Sequence, residues 1–184
     1  MSPIPSTQYA KNGDLTLAYQ VTGTGRKDLI YLLFEWPTVV GNWFVPEDAR
    51  FLERLASFSR LVITDRRGIG CSDRLPPGTS PTLEGLVDDL IVVGEEAHAW
   101  PATLLAGWET AFIALLAAAT HPDRIEGLIL WDAAPSYQRS EDLPLAMSTD
   151  QIGSTLGSIR RVTNLRAWAE VWARDVVPSW ANDP

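Results

Sequence analysis

The feature that most constrains the fold is a regular alternation of short apolar runs with longer amphipathic segments. Five runs have the length and composition of β-strands: 15–21, 28–34, 60–65, 102–107 and 125–132. The intervening stretches include three with helical periodicity: 48–58, 82–97 and 110–121. Strands that alternate with helices are typical of parallel sheets, and almost wholly apolar strands are typical of sheets buried on both faces. The sequence therefore predicts an α/β fold, a doubly wound and mostly parallel sheet with helices on both faces.

The character of the chain changes near residue 140. Residues 141–184 contain helix-like pieces and no further strand pattern, whereas residues 1–140 contain all the strand-like runs. We therefore expect an α/β core over 1–140 and a helical, cap-like segment over 141–184. The total of 184 residues suits one domain or slightly more.

The net charge limits the kinds of molecule that this protein is expected to bind. The chain has 15 Lys and Arg against 23 Asp and Glu, a net charge of −8. Nucleic acids and anionic membranes are bound through clustered basic residues, so we expect neither as a partner. No apolar run reaches the ~20 residues of a membrane span, and the N-terminus lacks the profile of a signal peptide. These features favour a cytoplasmic protein.

Metal and disulfide chemistry have little support in the sequence. Cys71 is the only cysteine, so an intrachain disulfide and a cysteine metal cluster are both excluded. The two histidines, His98 and His121, do not have the spacing of metal ligands. We predict no metal and no cofactor.

The stretch LLAGWETAF, residues 104–112, has the outline of a strand, a sharp turn and a helix. Small residues, Gly107 and Ala111, flank Glu109 at a distance of two residues on either side. This small-x-nucleophile-x-small spacing is typical of a nucleophile elbow, in which the tip residue is usually Ser. The pattern predicts that Glu109 occupies the tip.

Two further motifs carry a family resemblance. TDRRGIGCSDR, residues 64–74, and HPDRI, residues 121–125, resemble the D-x-R-G-x-G-x-S-D and P-(D/E)-R-(V/I) phrases of the α/β-hydrolase superfamily. Within it, QYAKNGDLTLAYQ, RLASFSR and PSWANDP are most similar to the hydrolase-like domains attached to bacterial adenylate and guanylate cyclases. We expect Asp65 of the first motif to organise its loop rather than to react.

The resemblance implies a serine triad and an oxyanion hole that this chain does not match. Pro37, after the second apolar strand, has no N–H to offer an oxyanion, and Trp36 is bulky where the family has small residues. The family's base is a His after the last strand, and the resemblance implies that residues 1–184 stop short of that region. His98 and His121 precede strands and are expected at the opposite edge of the sheet.

Residues at the carboxyl ends of the strands are the best candidates for a site, since ligands of open α/β sheets bind there. The candidate catalytic residues are Glu109, Asp132 and Glu35. The candidate ligand-binding residues are Trp36, Trp108 and Thr110. One hypothesis is a domain without a serine triad that binds a small apolar or aromatic ligand. Another is an enzyme in which Glu109 acts as carboxylate nucleophile or general base, in hydrolysis or proton abstraction.

The resemblance also implies two more strands beyond 125–132, so this sheet is predicted to be truncated. Residues 128–131 would then form an apolar edge, which proteins rarely leave uncovered. We expect a homo-oligomer that uses this edge, or a fragment of a longer chain. A third hypothesis is an interaction or scaffold module that uses the same edge.

Overall fold

The computed structural model describes residues 3–33 and 38–160. Internal contacts divide the chain into two compact units, Met1–Pro135 and Ser136–Pro184. The first unit contains the sheet. The described part of the second contains a turn-rich stretch and one helix, α4 (Thr149–Arg160).

The described residues of the first unit form six strands and three α-helices. The strands are β1 (Gln8–Asn12), β2 (Leu15–Thr22), β3 (Asp28–Leu32), β4 (Arg60–Thr64), β5 (Ala102–Gly107) and β6 (Ile125–Trp131). The helices are α1 (Pro46–Ala56), α2 (Leu83–Glu96) and α3 (Thr110–Thr120), and a 3₁₀ helix spans Gly41–Phe44. β1 was not predicted. It forms a hairpin with β2 through Gly13, whose φ of +61° suits glycine.

The sheet has the order β1-β2-β4-β3-β5-β6. β1, β2 and β4 pair antiparallel, and β4, β3, β5 and β6 pair parallel. Each step between sequential parallel strands passes through a helix, as the alternation of the sequence indicated. The prediction of a doubly wound, mostly parallel sheet is confirmed.

Helices cover both faces of the sheet. On one face α1 contributes Ala49 and Leu52 to a core with Leu61 and Ile63 of β4. On the other face α2 and α3 pack against an apolar core drawn from all six strands. α2 begins where the Thr82 hydroxyl accepts a hydrogen bond from the Gly85 N–H at 3.1 Å, which satisfies one free donor of its first turn.

The parallel strands end at one common edge. The loops that follow β3, β4, β5 and β6 therefore emerge on the same side of the sheet. β6 is the last strand of the sheet formed by the described residues, and its Ile129 is 52% exposed. None of the described helices is long and apolar enough to cross a membrane.

Candidate site at the carboxyl edge of the sheet

The turn from β5 into α3, residues 107–110, is called the elbow below. Its sharp point is Trp108, whose φ of +50° lies in the left-handed region that side chains rarely adopt. Glu109 has φ −67° and ψ −25° and is the N-cap of α3. The prediction that Glu109 occupies the tip is therefore off by one residue. A tryptophan occupies the strained position, and the glutamate follows it.

Thr110 fastens the elbow from inside. Its hydroxyl donates to the carbonyl of Gly107 at 2.8 Å and accepts from the Gly107 N–H at 3.1 Å. The residue is 0% exposed. Thr110 therefore stabilises the turn, and its side chain has no exposed surface with which to contact a ligand. The predicted ligand-binding role of Thr110 is not supported by its burial.

An aromatic ring packs against the elbow, and further aromatic rings support it from behind. A Cβ added to Gly107 would lie 2.4 Å from the Trp131 ring, so only glycine admits this close contact. The Trp131 ring lies 5.9 Å from that of Tyr31, which makes an edge contact with Phe51 at 5.8 Å. Burial raises the pKa of Tyr31 to about 12, and the charge of Asp48 adds to the shift. Trp108 and Trp131 are half-buried.

Trp131 and Tyr31 were not among the residues predicted from the sequence. Trp131 is the last residue of β6, next to the predicted Asp132. The expectation that site residues lie at strand ends would have included Trp131 if the last residue of each strand had been counted as well as the residue after it. Tyr31 has no comparable signal, because it lies inside an apolar strand and its role depends on which strands are neighbours.

Glu109 is paired with an arginine of the loop after β4. Arg66 Nη2 lies 3.3 Å from Glu109 Oε1, and the two side chains are 16% and 36% exposed. The Nε of Arg66 is buried without a hydrogen-bond partner among the described residues. The Glu109 carboxylate is thus accessible and neutralised by a partly buried cation.

Residues 65–73, called the Asp65 loop below, are held by a buried carboxylate. Asp65 is 2% exposed and accepts hydrogen bonds from the Val39 and Cys71 N–H groups, each at 2.8 Å. Burial raises its pKa, and the two hydrogen bonds oppose that shift. The Ser72 hydroxyl donates to the Asp65 carbonyl at 2.6 Å. Asp65 organises this loop and is not available for chemistry.

The remaining predicted residues are dispersed. Asp132 is exposed directly after β6, with φ +46°. Glu35 and Trp36 lie outside the described residues. His98 and His121 precede β5 and β6, so both lie at the amino edge of the sheet, opposite the elbow. Within residues 3–33 and 38–160, no group of three His, Cys, Asp or Glu side chains is placed to hold a metal ion.

Comparisons with known proteins connect this chain to others through its fold. No family model matches the sequence. No curated protein matches it either. Solved structures do match. A bromoperoxidase from Bacillus anthracis has 23% identity and a TM-score of 0.68, over 85% of this chain and 55% of its own. An esterase from Exiguobacterium antarcticum has 23% identity and a TM-score of 0.67, over 85% and 56%.

A meta-cleavage product hydrolase from Pseudomonas fluorescens is a third example, with 20% identity and a TM-score of 0.60, over 73% of this chain and 47% of its own. The chain thus spans about half the length of these structural neighbours. Their names describe different reactions, and at such low identity the likeness shows the fold alone. The chain has the α/β-hydrolase fold.

Proposed function

We propose that this α/β-hydrolase-fold domain works without a serine triad and binds a small apolar or aromatic ligand at the elbow. The observation that carries the proposal is the left-handed Trp108 at the tip of the turn. An enzyme of this fold holds its nucleophile in that strained position. An indole has no oxygen or sulfur to attack an acyl carbon, so the position offers an aromatic surface instead.

The surroundings of the tip support an aromatic ligand. Trp108 and Trp131 are both half-buried, and they lie at the ends of neighbouring strands: Trp108 directly follows β5, and Trp131 is the last residue of β6. Trp131 is backed by the buried Tyr31, which limits its movement. Flat apolar ligands gain from ordered aromatic walls of this kind, because little side-chain freedom is lost on binding.

A carboxylate enzyme is the second candidate function. Glu109 is 36% exposed next to the tip, at the N-terminus of a helix, where its charge is favoured. In that case Glu109 would attack a substrate carbon and displace its leaving group, and water would hydrolyse the covalent intermediate; alternatively it would accept a proton from the substrate, with Asp132 or Glu35 assisting. The ion pair to Arg66 weakens this candidate, because the oxygen nearest the arginine is already engaged.

The two candidates differ in what Glu109→Gln does. We would measure turnover of p-nitrophenyl esters and of a benzisoxazole, together with calorimetric affinity for 2-naphthol. A binding domain shows no turnover in either protein, and its affinity for 2-naphthol survives Glu109→Gln and falls in Trp108→Ala. Turnover that disappears in Glu109→Gln while the fold is kept would establish the enzyme.

The biological setting is also a proposal. The similarity of QYAKNGDLTLAYQ and RLASFSR to cyclase-attached domains suggests a ligand sensor beside a cyclase module, in the cytoplasm. The apolar β6, with Ile129 exposed, suits a homo-oligomer, a longer parent chain or a scaffold role. Light scattering at tens of micromolar tests the first possibility, since a compact monomer would argue against the oligomer.

A further inference from the structure

A groove lies beside the Asp65 loop, on the side that leads into α2. Its volume is about 400 Å³, within the range of small-molecule pockets. Its walls come from residues 66–69, residues 74–79 and the beginning of α2. All of these residues belong to the first unit of the chain.

The groove is locally basic in an acidic protein. Three arginines line it, Arg66, Arg67 and Arg74, and no Asp or Glu does, although the chain carries a net charge of −8. Arg67 is not available to a ligand, because its Nε and Nη2 donate to the two carboxylate oxygens of the buried Asp89 at 2.5 and 2.6 Å. The positive charge available to a ligand therefore comes from Arg66 and Arg74.

Both of these arginines retain unused donors. Arg74 is exposed and has no hydrogen-bond or ion-pair partner among the described residues. The carboxylate of its neighbour Asp73 accepts the Thr16 N–H at 2.7 Å, so that acid is turned to the backbone of β2. Arg66 has a long ion pair to Glu109 and a buried Nε without a partner in the described part of the chain.

Another part of the groove's lining is apolar and preformed. It contains Ile69, Leu75, Pro76, Pro77 and Leu86. The Thr79 N–H and hydroxyl both donate to the Pro76 carbonyl, at 3.1 and 2.6 Å, and close the turn that carries the two prolines. Because proline fixes φ, little freedom remains to be lost when a ligand packs here.

We propose that this groove binds a small organic anion, a carboxylate or a phosphate monoester with an apolar body. Arg74 and Arg66 hold the anionic group, and the proline wall packs against the apolar part. This site does not depend on the aromatic ligand proposed for the elbow. Arg66 takes part in both places, so an anion in the groove competes with Glu109 for its guanidinium.

The test is a ¹H–¹⁵N NMR titration of the whole chain with 4-phenylbutyrate and with phenyl phosphate. The neutral 4-phenylbutanamide is the matched ligand control. We expect the amide signals of Gly68 and Gly78 to shift with either anion, and the neutral amide to bind at least about tenfold more weakly. The anion that binds more tightly identifies the carboxylate or the phosphate as the better fit.

Two arginine variants complete the test. Arg74→Gln should weaken the anion about tenfold, since one charge-assisted contact is lost. Arg26→Gln removes an exposed arginine before β3, at the other edge of the sheet, and should leave the affinity unchanged. Circular dichroism verifies that both variants fold. Equal losses in the two variants, equal affinity for the neutral amide, shifts elsewhere or no binding at about 10 mM would each overturn the proposal.

Discussion

The Asp65 loop and the elbow emerge at the same edge of one sheet, yet different forces hold them. The Asp65 loop depends on a buried carboxylate that accepts two backbone N–H groups. The elbow depends on one buried hydroxyl that binds Gly107 and on the Trp131 ring packed against the same glycine. The loop matches the phrase D-x-R-G-x-G-x-S-D residue by residue, whereas the elbow keeps the turn and has Trp108 at its tip.

This difference separates what the fold requires from what the chemistry requires. A tight turn needs small residues, a left-handed tip and a satisfied backbone, and the elbow meets all three. Catalysis of the serine type needs an oxygen at that tip in addition, which Trp108 does not supply. The turn can therefore persist in a protein whose function is binding.

The largest loss of stability is expected when Asp65 is replaced, because its buried carboxylate holds the Asp65 loop through two backbone N–H groups. Asp65→Ala leaves the buried Val39 N–H unpaired and also removes the acceptor of the partly buried Cys71 N–H. We expect a loss of about 3 kcal/mol in the free energy of unfolding, measured with urea. The exposed Asp14→Ala should be nearly neutral, and similar losses in both variants would contradict the role of Asp65.

A smaller effect is expected at Gly70, which tests how closely the loop backbone approaches that carboxylate. A Cβ at Gly70 would lie 2.1 Å from Asp65 Oδ2, whereas a Cβ at Gly78 meets nothing within 4 Å. Both glycines have positive φ, +55° and +79°, so Gly78→Ala controls for backbone strain. Gly70→Ala should cost about 2 kcal/mol more than Gly78→Ala. Equal costs would mean that the carboxylate moves freely.

The elbow's aromatic support predicts a loss of stability in alkali. Tyr31 has a pKa near 12 in the folded protein, above its ordinary value of 10.0, so the unfolded chain releases this proton first as the pH rises. The loss of folding stability is nearly absent below pH 10, and it grows as the pH rises from 10 to 12. At pH 11 the loss of stability amounts to about 1 kcal/mol. Tyr31→Phe should flatten this part of the stability profile, and an unchanged slope would exclude Tyr31 as its source.

The smallest effect is expected at Glu109. Its ion pair with Arg66 is long and the carboxylate is 36% exposed, so Glu109→Gln should change stability by less than about 1 kcal/mol. The buried pair of Arg67 with Asp89 is the matched comparison, since the Asp89 side chain is 8% exposed. Asp89→Asn should cost clearly more in the same urea experiment. A reversed order would show that the elbow depends on its acid.

The helices and most of the strands could be predicted from the sequence, whereas the residue at the tip of a turn was harder to predict. Five strands and three helices were placed within a few residues because apolar periodicity marks them directly. β1 escaped because Gln8 to Asn12 are mostly exposed and have no apolar run. The tip of the elbow was misplaced because the small-x-tip-x-small pattern fits two registers. Gly107 and Ala111 flank Glu109, and Ala106 and Thr110 flank Trp108 almost as well.

The candidate site depended on contacts that no local pattern encodes. Arg66 and Glu109 are 43 residues apart, and Arg67 meets Asp89 across 22 residues. Arg67 is engaged by Asp89, whereas Arg66 has only a long contact to Glu109, so these distant partners decide that Arg66 rather than Arg67 can bind a ligand. The pairing of Trp131 with Tyr31 likewise requires the strand order, since β3 and β6 flank β5.

The most direct measurement is a ¹H–¹⁵N NMR titration with 2-naphthol that follows the indole N–H signals, assigned through Trp108→Phe and Trp131→Phe. We expect the signals of Trp108 and Trp131 to move together and saturate, and Glu109→Gln to leave the affinity unchanged. Movement confined to other tryptophans, or an affinity that depends on Glu109 and not on Trp108, would contradict a ligand site built on the aromatic tip of the elbow.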